Sequence, residues 1–317
     1  MLKLSIIIVS FNTKSLLKQC LESIYQNLGD MEHEILMVDN NSSDESPIMV
    51  KENFPDVKLI ENKKNIGFAK ANNQALRKAS GQYLLLLNSD TIVSPRTLNI
   101  MVDFMDKNPK VGALGAKLLD PDLILQTSCR HFPTVFSMLS QFFGLSAMFS
   151  KSKLFGRYDM GYWDHSQRRK VDCVPGTSLL VRKNTVQEVG LLDENYFMYF
   201  EDTDWCYRMN QAGWEVIFLP EAFVIHLGGA SAAKSNRGLF YDQTLTKEFF
   251  HSLFYYFDKF HGTLSVLILR IFIFLSLIMR MLKWIFAFLL RRIDKEEFSY
   301  KMRSFSQMIR YCFTSRC

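Results

Sequence analysis

Tyr83-Leu84-Leu85-Leu86-Leu87-Asn88-Ser89-Asp90-Thr91 is the stretch whose reading decides the fold. Its apolar run has the length of a strand, follows Gly81 and breaks off in polar residues, which predicts a strand buried on both faces. Just beyond it, Ser94-Pro95 reads as the start of a helix with proline at the first helical position. In an open parallel sheet, ligands bind in the crevice outside the carboxyl ends of the strands. A carboxylate at that place is positioned to meet a hard cation and a phosphate. Taken alone, Asn88-Ser89-Asp90 is a turn, because these are residues that turns favour. The neighbouring stretches give it a second meaning.

Upstream, residues 4–9 are β-branched and nearly all apolar, as a central strand requires, and Ser10-Phe11-Asn12-Thr13 ends them. Residues 14–26 carry Leu16, Leu17, Cys20, Leu21 and Ile24 at helical spacing. A second apolar run over 34–38 ends in Asp39-Asn40-Asn41-Ser42-Ser43-Asp44, and Ser46-Pro47 opens a helix. Residues 57–61 predict a third strand, followed by Asn65-Ile66-Gly67-Phe68 and a helix over about 69–79. Strand and helix alternate at short spacing, the pattern of a parallel sheet covered by helices on both faces. Each polar cluster therefore falls at the carboxyl end of a strand, on one edge of the sheet. A shared site explains that regularity better than unrelated turns. The first strand is followed by neither a Gly-x-Gly-x-x-Gly loop nor a Walker lysine, which removes the dinucleotide-binding and P-loop readings.

Downstream, residues 117–171 are less legible. Asp120-Pro121-Asp122 is a turn, while 132–155 is apolar and aromatic without clean periodicity, either a helix pair or a loop over the mouth of the site. Residues 176–182 return to strand character, with a short helix near 184–189. Asp193-Glu194-Asn195-Tyr196-Phe197-Met198-Tyr199-Phe200-Glu201-Asp202-Thr203-Asp204-Trp205 then leads into a helix that stops at Gly213, a natural cap. Glu201, Asp202 and Asp204 occupy its first turn, where a carboxylate stabilises by roughly 0.3–1 kcal/mol through the helix dipole. Three acids beside an aromatic run exceed what a cap needs; Asp204 reads as the cap residue. Tyr199 and Trp205 suit either an acceptor platform or the core. Strands over 215–219 and 222–226 follow, the second ending in His226 before Leu227-Gly228-Gly229-Ala230-Ser231.

The chain has 317 residues, 48% hydrophobic and 22% charged, a globular balance. Its net charge of +6 is too mild to make nucleic acid the default partner. The cysteines at 20, 129, 173, 206, 312 and 317 lack zinc or CxxC spacing and fit reduced thiols in a cytosolic compartment. Met1-Leu2-Lys3 runs straight into the first strand, without the small-residue cleavage site of a signal peptide. Residues 264–290 are overwhelmingly apolar yet hold Arg270, Arg280 and Lys283, with Arg291-Arg292 next. A membrane span needs ~20 apolar residues and a mid-span arginine is costly. On a helical wheel these charges share about half the circumference. Leu267, Ile271, Leu275, Ile278, Leu282, Ile285 and Leu289 fill the other half. That predicts a basic amphipathic helix lying in a membrane interface, with a helix buried between subunits as the alternative. Residues 295–317 add basic charge to the same surface.

Together these residues resemble the inverting GT-A glycosyltransferases of family 2, and within them the rhamnosyltransferase-like bacterial enzymes of O-antigen and cell-wall polysaccharide assembly. The motifs are residues 5–12, Asp39-Asn40-Asn41-Ser42, Asn65-Ile66-Gly67-Phe68 with Asn72-Asn73, Leu87-Asn88-Ser89-Asp90, residues 197–205 and His226-Leu227-Gly228-Gly229, covering about residues 3–231. The resemblance implies an α/β GT-A fold: a mostly parallel central sheet with helices on both faces, plus C-terminal amphipathic membrane-associated helices. The expected division is a catalytic domain over 1–231, with a nucleotide-sugar half (1–118) and an acceptor half (119–231), a connecting helical segment (232–262) and a basic tail (263–317).

The resemblance also implies roles. Ser10, Asn12 and Asp39 line the nucleoside pocket, with Asp39 reading the base. Asn65 and Gly67 lie near the ribose and diphosphate, and Phe11, Asn41, Phe68, Asn72, Asn88 and Ser89 complete the nucleotide-sugar site. Asn88-Ser89-Asp90 stands in place of the family's Asp-x-Asp metal motif and keeps only its last carboxylate, so Asp90 and His226 are the expected ligands of Mg²⁺ or Mn²⁺. Glu201 and Asp202 match the catalytic acid pair, with Asp202 as general base. The implied donor is dTDP-rhamnose, with UDP-galactofuranose and UDP-N-acetylhexosamines as alternatives. The implied acceptor is a polyprenyl-diphosphate-linked saccharide at the cytoplasmic face of a bacterial inner membrane. Two other classes compete. A sugar-nucleotidyltransferase needs a Gly-rich basic loop where this chain has Ser10-Phe11-Asn12-Thr13, and an inactive membrane-anchored scaffold has no use for Asp90, Glu201, Asp202 and His226.

Overall fold

A computed structural model describes residues 2–228 and 243–315. The expectations on Gly229, Ala230, Ser231, residues 232–242 and Cys317 lie outside the described residues. By their internal contacts, residues 1–132, 163–197 and 201–231 form one unit and residues 133–162, 198–200 and 232–317 a second.

In the first unit, β1 (Leu4–Ser10), α1 (Lys14–Asn27), β2 (His33–Asp39), α2 (Ser46–Asn53), β3 (Lys58–Glu61), α3 (Phe68–Leu76) and β4 (Tyr83–Asn88) alternate as expected. The strands pair in parallel in the order β3-β2-β1-β4. Ser10 lies opposite Asp39, and Val9 opposite Asn88, so the polar strand ends line up along one edge. Ile6, Ile8, Leu85 and Leu87 bury one face of this sheet against Leu17, Leu21 and Ile24 of α1 in a continuous core. Each such side chain contributes about 1.5–3 kcal/mol when fully buried.

The expected order changes after Asp90. The chain stays extended as β5 (Thr91–Val93) before α4 (Thr97–Lys107) begins. β5 pairs antiparallel with β10 (Glu215–His226), so Pro95 falls in the intervening turn and Arg96, at φ +61°, precedes the helix. Ser94-Pro95 is therefore not the helix start. The two strands expected over 215–219 and 222–226 are likewise one. β10 runs parallel to β6 (Val111–Leu119), and its register slips between Leu219 and Phe223, where Pro220 has no N–H to give. α3 stops at Leu76, short of the expected Ala79. The unit is completed by β7 (Leu125–Gln126), β8 (Arg169–Lys170), β9 (Ser178–Arg182), α7 (Lys183–Val189) and α8 (Glu201–Gln211). β9 lies antiparallel between β4 and β6, giving the mixed order β3-β2-β1-β4-β9-β6-β10-β5.

In the second unit, residues 132–155 resolve into a helix pair, α5 (Val135–Phe142) and α6 (Leu145–Met148). Thr134 and Ser137 form a reciprocal capping box at the start of α5. α9 (Gln243–His261), α10 (Thr263–Leu289) and α11 (Lys295–Thr314) pack with them around Phe250, Leu253, Phe254 and Phe257, all fully buried. Arg270 donates to the carbonyls of Cys312 and Ser315 (2.6 Å each), and Arg280 to that of Phe142 (2.7 Å). Both guanidiniums therefore serve helix C-terminal ends. Leu267, Ile271, Leu275, Leu282, Ile285 and Leu289 stay exposed along the outer face of α10. Cys20, Cys129, Cys173, Cys206 and Cys312 are free and buried.

α8 is fixed by an ion pair whose carboxylate is fully buried. Asp204 Oδ1 accepts from Arg208 Nε at 2.6 Å, and the same guanidinium donates to the carbonyls of Val189 and Leu191. Asp204, expected to be a cap residue, is instead this pair's acid. Trp205, with no exposure, donates to the Gly190 carbonyl at 2.9 Å and belongs to the core. Breaking such a pair strands a charge and costs about 3–5 kcal/mol. Arg208→Ala should lose that much stability in urea unfolding. Replacing the pair as Asp204→Leu/Arg208→Met should lose less.

Candidate active site

The site grows from the carboxyl ends of β1, β2 and β4. Asn12 (φ +57°) and Asn41 (φ +71°) turn the chain there in the left-handed region, which Asn tolerates better than most residues. Asn12 Oδ1 accepts from the Ser43 amide (2.7 Å), and the Asn12 amide donates to Ser42 Oγ (2.9 Å), tying the two loops together. Asp39 is buried. Its Oδ2 accepts from the Ser42 amide at 2.9 Å, while Oδ1 has no partner among the described residues. A buried carboxylate oxygen left unpaired is costly, and an N–H donor such as a nucleobase imide would satisfy it. Phe11 stands half-exposed beside these loops.

Asn40, absent from the expected site residues, ties this wall together. Its carboxamide accepts from the Ile66 amide (3.1 Å) and Asn62 (3.2 Å), and donates to Asn65 Oδ1 (2.8 Å) and the Gly67 carbonyl (3.3 Å). Asn65 Oδ1 in turn accepts from the Gly67 amide at 3.0 Å. Gly67 has φ +86°, and a Cβ there would lie 2.5 Å from the Phe197 carbonyl. Only glycine lets that carbonyl reach the Phe68 amide, at 2.6 Å. Asn72 is buried on α3 and donates to the Phe68 carbonyl of its own helix. Asn73 holds Leu192 through both its amide donor and its carbonyl.

Ser10, Thr13 and Ser89 form a buried hydroxyl chain with links of 2.8 and 2.9 Å. The Asn88 amide donates to the Thr177 carbonyl (3.0 Å), which leaves the next residues to turn toward β10. There the Asp90 carbonyl accepts from the Leu227 amide (2.9 Å), and Asp90 Oδ1 lies 3.4 Å from His226 Nε2. Two strand ends distant in sequence thus bring a carboxylate and an imidazole to one point. A single cation fits between an oxygen and a nitrogen at that spacing. Among the described residues no group of three or more His, Cys, Asp or Glu forms a complete ligand set. Water and diphosphate oxygens would have to fill the rest of the shell, as Mg²⁺ and Mn²⁺ allow.

The acids of α8 have unlike surroundings. Tyr199 and Phe200, just before it, take φ +70° and +67°, strained values for aromatic residues that set the helix's first turn. Glu201 is buried and its Oε2 has no partner among the described residues. Burial, then the charges of Asp202 and Asp204, push its carboxyl up to about 8. Asp202 is less buried. Its Oδ2 accepts from the Gly176 amide (3.1 Å) and its Oδ1 from the Thr203 amide (2.6 Å).

Residues 5–146 match glycosyl transferase family 2, and residues 83–313 match glycosyl transferase family group 2. The N-acetylglucosaminyl-diphospho-decaprenol L-rhamnosyltransferase of Mycobacterium tuberculosis is 28% identical over 203 residues, 61% of this chain and 66% of that protein's length. Rhamnosyltransferase WbbL of Escherichia coli K12 is 28% identical over 246 residues, 74% of this chain and 86% of the relative. Among solved structures, mannosyltransferase PcManGT from Pyrobaculum calidifontis, in complex with GDP-Man and Mn²⁺, superposes with a TM-score of 0.57 at 17% identity. That likeness of fold covers 99% of this chain and 85% of the other.

Glu201 gives the protein a pH signature. An ordinary glutamate titrates near 4.5 and this one near 8, so between those values the folded state holds a proton that the unfolded state releases. Stability is then full below the lower value and falls as pH rises through the window. The thermal midpoint is expected to decline across that range, and Glu201→Gln to flatten the decline.

Proposed function

The chain belongs to glycosyl transferase family 2, and from that premise we propose that it is an inverting glycosyltransferase moving L-rhamnose from dTDP-rhamnose to a saccharide carried on a polyprenyl diphosphate. The observation that carries this reading is the approach of Asp90 and His226 to 3.4 Å at the carboxyl edge of the sheet. The Asp39 oxygen that has no partner among the described residues lies on the same edge and supports a nucleoside pocket beside it. The choice of sugar and acceptor leans on the mycobacterial and Escherichia coli relatives, both named as rhamnosyltransferases.

Asp39 is the residue to read the base, with Ser10, Asn12 and Asn41 shaping the loops around it. Asn65 and Gly67, braced by Asn40, wall the path toward the diphosphate. A divalent cation on Asp90 and His226 would offset the charge gathering on the leaving diphosphate. Asp202 is the base. Its carboxylate already accepts two backbone amides, which fix its direction, and it keeps lone pairs for a further proton. The acceptor hydroxyl passes that proton to Asp202 as its oxygen bonds to the anomeric carbon. The bond from that carbon to the nucleoside diphosphate breaks on the opposite face, so the configuration inverts. Glu201, neutral near pH 7, is not the base; it adds a polar group without a second negative charge.

The second unit supports a membrane-borne acceptor. α10 is long and apolar enough to cross a membrane by length and composition. Yet one side of it packs on α5, α9 and α11 while the other exposes an apolar stripe, an arrangement suited to lying in the interface on the cytoplasmic leaflet. Lys283, Arg291 and Arg292 at its C-terminal end match an anionic surface.

Thermal stability against dTDP-, UDP- and GDP-sugars, with and without Mg²⁺ or Mn²⁺, tests the donor. Ligand at ~100 times its dissociation constant should stabilise by about 2.7 kcal/mol. Protection by a UDP-sugar alone would overturn the rhamnose assignment, and no protection by any donor would favour the inactive scaffold. Asp202→Asn is expected to keep donor protection and to lose transfer by about 10²–10⁴-fold; transfer at the wild-type rate would remove Asp202 as the base. Leu275→Asp with Leu282→Asp should abolish sedimentation with phosphatidylglycerol vesicles and spare donor protection.

A further inference from the structure

We propose that Gln126 is a positioning residue that sets the tautomer of His226 and so turns its Nε2 into a cation ligand. The inference rests on the cation assigned above to Asp90 and His226. Gln126 meets His226 twice. Its Nε2 donates to the His226 carbonyl at 2.9 Å, and its Oε1 lies 2.8 Å from His226 Nδ1. The first contact settles which end of the amide is which, because a backbone carbonyl only accepts and must face the NH₂ group. The other end is then the oxygen, which also only accepts, so the neutral imidazole carries its proton on Nδ1.

That choice decides what Nε2 can do. An Asp–His pair left to itself would put the proton on Nε2 and donate it to the carboxylate, a stable contact that closes the site to metal. Here the neutral ring presents the Nε2 lone pair to Asp90 Oδ1 across 3.4 Å, beyond an ordinary hydrogen bond. Two acceptors facing each other repel unless something positive lies between them.

Local structure holds Gln126 to this task. Asp120 turns the β6–β7 hairpin, its Oδ1 accepting from the amides of Asp122 (2.9 Å) and Ile124 (2.8 Å). Pairing of Gln126 with Leu118 then sets its side chain beside the end of β10. Gly228, at φ +67°, lies close to the amide; a Cβ there would lie 3.7 Å from Gln126 Nε2. Imidazole ligands commonly have the ring N–H held by a second group, and losing that group costs about 10–100-fold in metal affinity.

The test uses the full chain in detergent, without donor. Mn²⁺ binding is followed by electron paramagnetic resonance, and the His226 tautomer by ¹⁵N resonances of labelled imidazoles, assigned through their loss in His226→Gln. Wild type should carry the proton on Nδ1. Gln126→Leu should move it to Nε2 and weaken Mn²⁺ binding ~10–100-fold. Gln126→Glu keeps the acceptor, so it should keep the Nδ1–H tautomer and bind Mn²⁺ more tightly than Gln126→Leu. An Nε2–H tautomer in wild type, no Mn²⁺ uptake by wild type, or equal Mn²⁺ affinity in wild type and Gln126→Leu would each overturn the proposal. Neither readout needs a sugar donor. If nucleotide sugars protect the protein and Gln126→Leu is silent, only this inference falls. If no nucleotide sugar protects while both readouts change as expected, Gln126 keeps its role and the transferase reading falls.

Discussion

The parallel register of β1 against β2 and β4 is the constraint on which the candidate site depends. It sets Ser10 opposite Asp39 and Val9 opposite Asn88, so the loops that follow all leave from one edge. A slip by one residue would turn every side chain of a strand to the other face of the sheet. Ile6 and Ile8 would then exchange places with Ile7, and the packing against α1 that defines the register would be lost. The hydrophobic core is thus what aligns the polar residues, although none of its members belongs to the site.

Three carboxylates in the first turn of α8 show how surroundings assign roles that sequence spacing leaves equal. Asp204 is fully buried but meets a guanidinium at 2.6 Å and so serves as an anchor. Glu201 is nearly as buried, feels the charges of Asp202 and Asp204, and keeps its proton to about 8. Asp202 is partly exposed and directed by two backbone amides. The helix dipole favours all three alike. Partner and water access separate them, and both come from segments far away in the chain, among them Gly176 and the Val189–Leu191 carbonyls.

This marks how far the sequence could be read. The strand ends were legible because apolar runs of strand length stop at polar clusters, a local signal, and these clusters supply Ser10, Asp39 and Asp90. The fold family was legible for the same reason. Asn40 stood inside one of the quoted runs, but its bracing of Asn65 and Gly67 depends on where β3 delivers the chain. Gln126 gave no signal, since its partner is a hundred positions away. The misplaced helix start at Ser94-Pro95 has a definite cause. The capping signal was sound locally, yet Thr91–Val93 had to remain extended to pair with Val224–His226, a partner no local pattern displays. The two strands merged into β10 reflect the opposite case, in which Pro220 interrupts the hydrogen bonding without ending the strand.

The tail extends this argument to charge. Helical spacing put Arg270, Arg280 and the apolar stripe on opposite halves of α10 and so suggested cations turned toward lipid. Instead Arg270 and Arg280 reach sideways to the carbonyls at the ends of α11 and α5, groups that helix geometry leaves unpaired. Each arginine thereby satisfies acceptors that would otherwise need water. With those two charges committed to carbonyls of neighbouring helices, the outer face of α10 presents an apolar stripe, and the remaining basic residues gather at its C-terminal end. A surface of that kind is poorly suited to water, and its apolar stripe with cations at one end matches the boundary between acyl chains and anionic headgroups. What the sequence displays as a charged amphipathic helix is, once folded, a largely apolar face on a helix whose arginines tie it to the ends of its neighbours.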